Sequence, residues 1–538
     1  MATRPSEPAS KPYASASSST LDFMPEIKTE NPPAHAGDGD ESATATPLDV
    51  EKEAESQQQQ EVPVTPVPVR GSADDLVEFD GPDDPENPKN WSVMRRCTIT
   101  AAMGAMTFVV TFASSIYSVA IIPVAHEYDI SNVTSVLGVS LFLLGFVFGP
   151  ILFGPASEVF GRRVPLFAGY LVFAIFQVPV AVARNVETIM LGRFFGGFAA
   201  SSPLAVVGGA LADIWGPIER AYAVCIFAAA AFSGPVAGPI IGGFVTQSHL
   251  GWRWTAWITL IMAALFGTIG LIIIPETSAA SILQAKAKRL RHETKNWALH
   301  AKADENEVSL RTMMTVYLIR PFVMFVQEPI LALITAYMSF VYGILYLFFE
   351  AFPISFQEER GWNEGVGALP FTSFIVGIAM GTGLIAYSTR TNFTRAFVKQ
   401  GKIIPEERLP PMVVGAAVLP IGLFWFAWTS NPNITWVPQV LSVALLGGGC
   451  LVAFWQGMNY IIDCYGFYAN SAIAINTFVR SIAGAGFPLF ASAMYHNLGV
   501  PWATSLLAFL CLAFVPVPIL FYKYGAVIRQ KSRFRPTM

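Results

Sequence analysis

The sequence predicts an all-α polytopic membrane protein of twelve transmembrane helices, arranged as two six-helix halves. Three observations support this prediction. Of the 538 residues, 53% are hydrophobic and only 13% are charged, whereas a soluble domain carries about 25% charged residues. Apolar stretches of roughly 20 residues, the length that crosses the hydrocarbon of a bilayer, alternate with short polar connections. A long charged stretch divides these segments into two equal groups.

The first element is an acidic tail, residues 1–90. It contains 19 acidic and 6 basic side chains, whereas the rest of the chain contains 19 acidic and 28 basic ones. The tail is rich in Ser, Pro, Gln and Glu, and it has too few apolar residues to offset the entropy lost on folding. We therefore expect it to be disordered and cytoplasmic. Nothing near Met1 resembles a signal peptide, so the first span is an internal one.

The predicted spans form an N-terminal bundle (95–274) and a C-terminal bundle (329–524). A cytoplasmic linker (275–328) joins the bundles, and a basic cytoplasmic tail (525–538) follows the second. The twelve spans are residues 98–122, 134–153, 164–183, 188–211, 221–245, 252–274, 329–352, 367–387, 412–429, 436–462, 471–493 and 502–522.

The distribution of Lys and Arg predicts the orientation, because cytoplasmic loops carry the excess of positive charge. With both termini in the cytoplasm, the outer loops hold only Arg184, Arg253 and Arg360, and the basic clusters all lie inside. This orientation puts two glycosylation sequons, at Asn132 and Asn433, on the outer side. We expect the plasma membrane as the location, with a vacuolar membrane as the alternative.

Several functions are disfavoured by missing motifs. The chain has no G-x-x-x-x-G-K-[ST] motif, which argues against ATP-driven pumping. No pair of the six histidines has metal-ligand spacing within a span, and no G-x-S-x-G provides a serine nucleophile. We therefore expect no enzyme activity, no metal, no cofactor and no nucleic-acid partner. Two six-span halves with charged residues inside the spans favour a secondary transporter. We expect a monomer whose partners are the lipid bilayer, protons and a small-molecule substrate.

The connection between spans two and three reads GPASEVFGRRVPL, residues 154–166. Its two glycines permit a tight inner turn, and its charged side chains can form a latch at the membrane face. The stretch closely resembles motif A of the major facilitator superfamily, with Glu158 where the family usually has aspartate. At the end of span four, Asp213 is expected to join the latch through one of the nearby arginines, Arg162, Arg163 or Arg220. The residues assigned to the latch are Gly154, Glu158, Gly161, Arg162, Arg163 and Asp213.

The fourth span contains LGRFFGG, which places Arg193 within the hydrocarbon. An arginine at that depth costs about 2.5–3.5 kcal/mol on insertion scales, so it should face the interior and have a partner. It matches the motif B arginine of proton-coupled facilitators. A structural hydrogen bond between helices is the alternative interpretation.

The fifth span contains SGPVAGPIIGG, residues 233–243. Three glycines four residues apart share one helical face, where another helix can approach closely. The prolines are expected to bend the span, and neighbouring helices can satisfy the freed carbonyls. Tight bundle packing alone would explain the pattern. The stretch also resembles motif C, which in the superfamily is typical of antiporters. Its residues are Gly234, Pro235, Gly238, Pro239, Gly242 and Gly243.

Three further stretches narrow the resemblance. DPENPKNWS (84–92), the seventh span from 328 to 353, and the eleventh span from 468 to 490 are similar to fungal twelve-span drug:proton antiporters. That group exports drugs such as azoles, polyamines, and secondary metabolites such as cercosporin. The resemblance implies a major facilitator fold and proton-coupled efflux of a small amphipathic compound by alternating access.

In facilitators, spans one, four, seven and ten line the central cavity. Helical spacing selects side chains that can face it together, and an aromatic cavity with few charges suits a bulky or planar guest. Packing between helices is the alternative role for each aromatic residue. The predicted cavity residues are Ser114, Tyr117, Ser118, Tyr342, Tyr346, Trp455, Gln456 and Asn459.

Proton coupling requires a carboxylate whose proton affinity changes between the outward and inward states. Glu350, near the outer end of span seven, and Asp463, near the inner end of span ten, are the candidates, with Arg193 as a modulator. The alternatives to metabolite efflux are a polyamine exporter, a facilitated nutrient importer and a transporter-like sensor.

Overall fold

The computed structural model of the protein describes residues 75–305, 315–401 and 403–534. Within them the regular structure is helical, apart from one isolated bridge between Leu76 and His300. Residues 1–74, which form most of the predicted acidic tail, lie outside the described residues.

The first half contains six spanning helices, each rich enough in apolar residues to cross a bilayer. Side-chain caps begin several of them. Ser92, Ser131 and Asn185 each accept a hydrogen bond from a backbone N–H in the first turn. The helices are α1 (Val93–Glu127, with a 3-10 turn at Tyr117–Ala120), α2 (Asn132–Val159), α3 (Arg163–Ala181), α4 (Val186–Ile214), α5 (Pro217–Gln247) and α6 (Trp254–Ile273).

The second half repeats this arrangement, with α7 (Pro329–Phe352), α8 (Pro370–Ser388), α9 (Leu409–Trp428) and α10 (Trp436–Tyr465). Shorter helical segments precede the first span or lie between later ones. They are Ala279–Thr294, here called the linker helix, and Pro88–Asn90, Lys302–Glu305, Thr315–Ile319, Arg320–Gln327, Pro353–Glu358, Glu364–Ala368, Thr389–Phe393, Thr394–Gln400, Pro405–Arg408 and Gly466–Tyr468.

The last helical stretch contains two spans. Ala469–Phe514 is interrupted at Gly499, whose φ of 75° and ψ of 158° are not helical. Residues 469–498 form α11, and residues 500–530, with a short interruption at Val515, form α12. The eleven apolar stretches of spanning length in the described residues therefore supply twelve helices. The prediction of an all-α polytopic fold with two six-helix halves is confirmed.

The helices alternate in direction, so α1 begins and α12 ends on the same side of the bundle, here called the terminal face. The other side is called the distal face. Hydrogen bonds near the end of α12, from Arg529 to Glu406 and from the backbone of Arg533 to Glu328, hold it at the terminal face.

Residues 75–90, which the sequence analysis assigns to the acidic tail, pack against the linker helix. Lys286 on that helix lies 2.9 Å from Asp80 and 3.5 Å from Asp84. Backbone N–H groups of Asp80 and Glu86, together with the Lys286 ammonium, lower the pKa of Asp84. The carboxylate therefore stays ionised at neutral pH, and the start of α1 is tied to the linker.

The two halves pack most extensively through two pairs of helices, α2 with α11 and α5 with α8. Near the middle of the first contact, the Ser140 hydroxyl donates to the carbonyl of Ala485 over 2.7 Å. On the distal face, α5 packs against the short helix Glu364–Ala368. A Cβ at Gly243 would lie 2.8 Å from the carbonyl oxygen of Glu364, so the halves are closely apposed there.

The glycine face of α5 packs against α1. A Cβ at Gly234 would meet Thr111, one at Gly238 would meet Ser115, and one at Gly242 would meet Val119. The helix continues through both of its prolines. The small residues therefore allow the two backbones to lie in direct contact, as at other close helix crossings in membranes.

Gly238→Ala should force α1 and α5 apart, because the new methyl group would lie 2.8 Å from the backbone nitrogen of Ile116. We expect a loss of about 1–3 kcal/mol in stability, the usual cost of overpacking. Thermal unfolding of the purified protein in detergent would measure it. The matched control is Gly383→Ala on α8, where nothing lies within 4 Å of the new Cβ. That variant should be neutral or gain up to about 1 kcal/mol from helix propensity, and equal losses in both variants would contradict the prediction.

Candidate functional site

A cavity of about 360 Å³ lies between the two halves. Its walls come from α2, α4 and α5 of the first half and from α10 and α11 of the second, with the segment that precedes α7. All of these wall residues belong to the parts of the helices nearest the terminal face. The cavity is therefore directed towards that face, while the distal face is closed by the packing of α5 on residues 364–368.

Among the described residues, a hydrogen bond between Glu158 and Asn470 crosses the cavity from one half to the other. Glu158, in the motif A stretch, accepts from the side-chain amide of Asn470 at the start of α11 over 2.7 Å. Both residues line the cavity. Because the bond joins the two halves at the terminal face, it must break if that face opens further.

Arg162 forms the centre of the predicted latch. Its Nε lies 3.0 Å from Asp213 at the end of α4, and one of its terminal nitrogens donates to Ser157 over 2.9 Å. Gly161 precedes it with a φ of 80°, a conformation that favours glycine. Arg163 donates instead to the carbonyl of Leu271. The structure thus brings Arg162, rather than Arg163 or Arg220, to Asp213. Gly154 lines the cavity nearby.

Glu276, just after α6, is a part of the latch that the sequence analysis did not select. Its carboxylate accepts from the backbone N–H groups of Arg162 and Arg163. It also accepts from those of Thr277 and Ser278. The residue therefore fixes the turn between α2 and α3 to the end of α6. The sequence offers little signal for this role, because the residue lies in a polar connection more than 100 positions from the turn.

Asp463, one of the predicted proton carriers, lines the cavity and pairs with Arg408 over 2.9 Å. The two side chains are only 4% and 6% exposed. The guanidinium of Arg408 also lies over the ring of Phe393, 3.5 Å from its centroid. Arg408 was not selected from the sequence, since it sits in a basic cluster that reads as a cytoplasmic loop.

The aromatic part of the wall includes Trp455 on α10 and Phe227 on α5, whose rings meet edge to face at 6.0 Å. Asn459 also lines the cavity and donates to Gln456 over 3.3 Å. The indole Nε1 of Trp455 has no hydrogen-bond partner among the described residues. Of the eight predicted cavity residues, Trp455 and Asn459 line this cavity.

The other predicted cavity residues lie away from its wall. Ser114 on α1 and Tyr346 on α7 share a buried hydrogen bond of 2.7 Å, which joins the halves. The hydroxyl of Tyr342 donates to that of Tyr346 over 3.4 Å. Tyr117 is buried in the first half and Ser118 is half-buried. In this arrangement α1 and α7 meet directly, so their polar side chains contact each other.

Arg193 is 3% exposed and lies among backbone carbonyls. Its guanidinium donates to the carbonyls of Ala113 and Ser114 on α1 and of Gly138 on α2, over 2.8, 3.1 and 2.9 Å. It also lies 4.3 Å from the centroid of the Phe142 ring. The side chain thus ties α4 to α1 and α2.

Arg480 on α11 is a second arginine within the bundle. Its guanidinium lies 4.9 Å from the ring centroid of Phe454 and 5.2 Å from that of Tyr342. The faces of these two rings are the partners of the guanidinium within the bundle.

Glu350 lies at the distal end of α7, where its charged neighbours are Glu358 and His496. Glu358 and His496 pair over 3.0 Å. The structure therefore does not bring Glu350 together with Asp463, which lies at the terminal end of α10. The two predicted proton carriers sit on opposite sides of the bundle.

The remaining predicted residues are also outside the cavity. The motif C residues lie on α5, at the interfaces described above, and Pro235 and Pro239 are part of its continuous helix. Both sequon asparagines, Asn132 and Asn433, are exposed near the distal face. Among the described residues, no group of three His, Cys, Asp or Glu side chains is placed to hold a metal ion.

Comparison with known proteins decides the family. The pattern of the Major Facilitator Superfamily matches residues 103–488, which is most of the chain. This chain belongs to the major facilitator superfamily. As a facilitator it is a multi-span membrane transporter, and its relatives carry the same description. It is 53% identical over 462 residues to the citrinin biosynthesis cluster MFS transporter mrr1 of Monascus ruber, covering 86% of this chain and 92% of that one.

Two other facilitators extend the comparison. The chain is 44% identical over 465 residues to the cercosporin MFS transporter CTB4 of Cercospora nicotianae, covering 86% of this chain and 90% of the relative. Its structure matches the proton:xylose symporter XylE with a TM-score of 0.58 at 15% identity, covering 81% and 96% of the two chains. The relatives support metabolite transport, and the symporter shows the fold.

The ion pair between Arg408 and Asp463 gives a prediction on stability. Asp463→Asn leaves Arg408 buried beside a second cation, Arg220, and we expect a loss of about 3–5 kcal/mol, the usual cost of breaking a buried pair. Arg408→Gln should cost less, because Arg220 remains to balance the carboxylate. Thermal unfolding in detergent would measure both variants.

The matched control for this pair is Glu86→Gln. It removes an ion pair with Arg289 whose side chains are 37% and 55% exposed. An exposed pair of this kind contributes about 0–1 kcal/mol. A loss for Asp463→Asn no larger than that for Glu86→Gln would contradict the prediction.

Proposed function

We propose that this facilitator exports a small amphipathic organic compound, such as a drug, toxin or secondary metabolite, by proton antiport. One observation carries the proposal. The cavity between the halves is directed to the terminal face, while α5 and residues 364–368 close the distal face. Such a cavity is expected of one state in alternating access, in which the two halves rock around a central binding site.

The relatives support export of a metabolite. Two of them carry citrinin and cercosporin in their names, and each matches about nine-tenths of its own length to this chain. The resemblance of residues 233–243 to motif C favours antiport over symport. For the direction of transport, the Lys and Arg distribution supports a cytoplasmic terminal face, with both termini inside the cell and the plasma membrane as the location.

For proton coupling, Asp463 is the strongest of the predicted carboxylates. It lines the cavity and already has a cationic partner, Arg408, that can respond to its protonation. Glu350 lies near the distal face, so it can exchange protons with solvent only in a state in which that face is open. Arg193 acts through the backbone of α1, which carries the Ser114 hydroxyl bonded to Tyr346 of the other half.

The polyamine alternative is less well supported by the site. The cavity is lined by Arg162, Arg220 and Arg408 and by the carboxylates of Glu158 and Asp463. A polycation would need carboxylates that are not already engaged, but Asp463 is paired and Glu158 accepts a hydrogen bond. The next experiment distinguishes the antiporter from a facilitated importer and from a transporter-like sensor, because it measures probe flux and proton movement together.

The antiport proposal can be tested in inside-out membrane vesicles whose interior is acidified. A pH-sensitive dye reports the proton gradient across the vesicle membrane. Citrinin and cercosporin are the probes. Addition of a transported probe should collapse the proton gradient in vesicles that contain the protein and not in vesicles that lack it. Probe flux without proton movement would indicate facilitated transport, and neither flux nor proton movement with either probe would contradict the proposal.

Arg193→Ala should reduce proton-driven efflux at least tenfold, because it removes three hydrogen bonds that join α4 to α1 and α2. Transport driven by a probe gradient alone, without a pH difference, separates coupling from folding. We expect that exchange to fall much less. Full proton-driven efflux in Arg193→Ala would exclude the residue from coupling, and equal loss of both activities would assign it a structural role.

A further inference from the structure

The cationic side chains of the cavity are not equally neutralised. Arg162 is paired with Asp213, and Arg408 is paired with Asp463. Arg220, on the first turn of α5, also lines the cavity. Within the part of the chain that the structure describes, its guanidinium makes no hydrogen bond and no ion pair. A half-buried cation in this condition needs a counter-charge.

The charged neighbours of Arg220 are Asp463 and Arg408. Asp463 attracts it and Arg408 repels it, and Asp463 is already bonded to Arg408 at 2.9 Å. Two guanidinium groups therefore share one carboxylate, and this cluster carries a net positive charge at the mouth of the cavity. Glu158, the other carboxylate on the wall, accepts a hydrogen bond from Asn470.

Deeper in the cavity the wall is aromatic. Trp455 lies two turns before Asp463 on α10, which at 1.5 Å per residue places it roughly 12 Å further from the mouth. The residue is 8% exposed, and it lines the cavity. Phe227 and Phe478 line the space beside it. This part of the wall fits a flat ring system.

From these two features we propose that the cavity selects an aromatic organic anion. Its carboxylate or phenolate binds Arg220 and Arg408, and its ring system packs against the aromatic wall formed by Trp455 and Phe227. Charge-assisted hydrogen bonds to a planar guanidinium favour such a group. The inference rests on the proposal that this cavity holds the exported compound, and it adds the charge of that compound.

The test measures binding without any gradient, so it does not depend on transport. Purified protein in lipid nanodiscs is titrated calorimetrically with three matched probes, 2-naphthoate, 2-naphthamide and 2-(aminomethyl)naphthalene, with empty nanodiscs as the baseline for partition into lipid. We expect 2-naphthoate to bind at least tenfold more tightly than the amide or the amine. Equal affinities, tighter binding of the amine, or no binding of any probe would overturn the inference.

Variants assign the preference to the residues. Arg220→Gln should weaken 2-naphthoate about 10–100-fold, the worth of one charge-assisted hydrogen bond, and leave the amide unchanged. Arg220→Lys should retain most of the preference. Trp455→Ala, which removes the ring that the guest packs against, should weaken both probes several-fold. The control is Lys523→Gln, which removes an exposed cation of α12 from the same side of the bundle and should bind all three probes like the wild type.

Two further results are decisive. Inorganic phosphate that displaces 2-naphthoate at equal concentration would show that any anion suffices, and it would overturn the aromatic part of the inference. Selective binding of 2-naphthoate in a protein that fails the vesicle assay would overturn the proposed antiport and leave this inference standing. Proton-coupled export of neutral but not anionic compounds would overturn this inference and leave the proposed antiport standing.

Discussion

The buried hydrogen bond between Ser114 and Tyr346 is the contact on which the arrangement of the two halves depends. It joins α1 to α7 where neither residue meets solvent. On one side, Arg193 holds the carbonyl of Ser114, and on the other, Tyr342 connects Tyr346 to the ring-packed Arg480. A buried arginine in each half is thus linked through one polar contact. With this contact made, the space left between the halves lies towards the terminal face.

The number and order of the helices were predictable, because spanning a bilayer demands long apolar segments with satisfied backbones. The partner of Asp213 could be narrowed to three arginines from the sequence, because few charged residues lie at that membrane face. The structure selects Arg162 among them. The boundary between the last two spans is less distinct in the structure than in the sequence, because only Gly499 interrupts the helix there. A single residue separates the two spans at this point. The two spans are recognisable in the sequence from their apolar runs rather than from the connection between them.

The cavity wall was harder to predict. Side chains of α1 and α7 were assigned to it, but in this state those helices contact each other through Ser114 and Tyr346. Helical spacing identifies a shared face without indicating whether a cavity or another helix covers it. Two features depend on contacts between segments far apart in the sequence: Arg220, which has no ion pair among the described residues, and the bonds from Glu276 to the turn between α2 and α3. A single sequence carries no signal for such contacts, so both emerge only from the folded chain.

The connection at Gly499 has a consequence for how this protein is handled at the bench. Its φ of 75° favours glycine, and Tyr495 bonds Thr504 across the turn over 3.2 Å. The turn therefore has no slack chain in which an epitope tag or a protease site can be placed. The connection between α9 and α10 is longer and contains the exposed residues Asn431, Pro432 and Asn433. Labels that report sidedness belong at Pro432 and Asn433, because Arg360 donates to the carbonyls of Thr429 and Ile434 and so holds both ends of this connection.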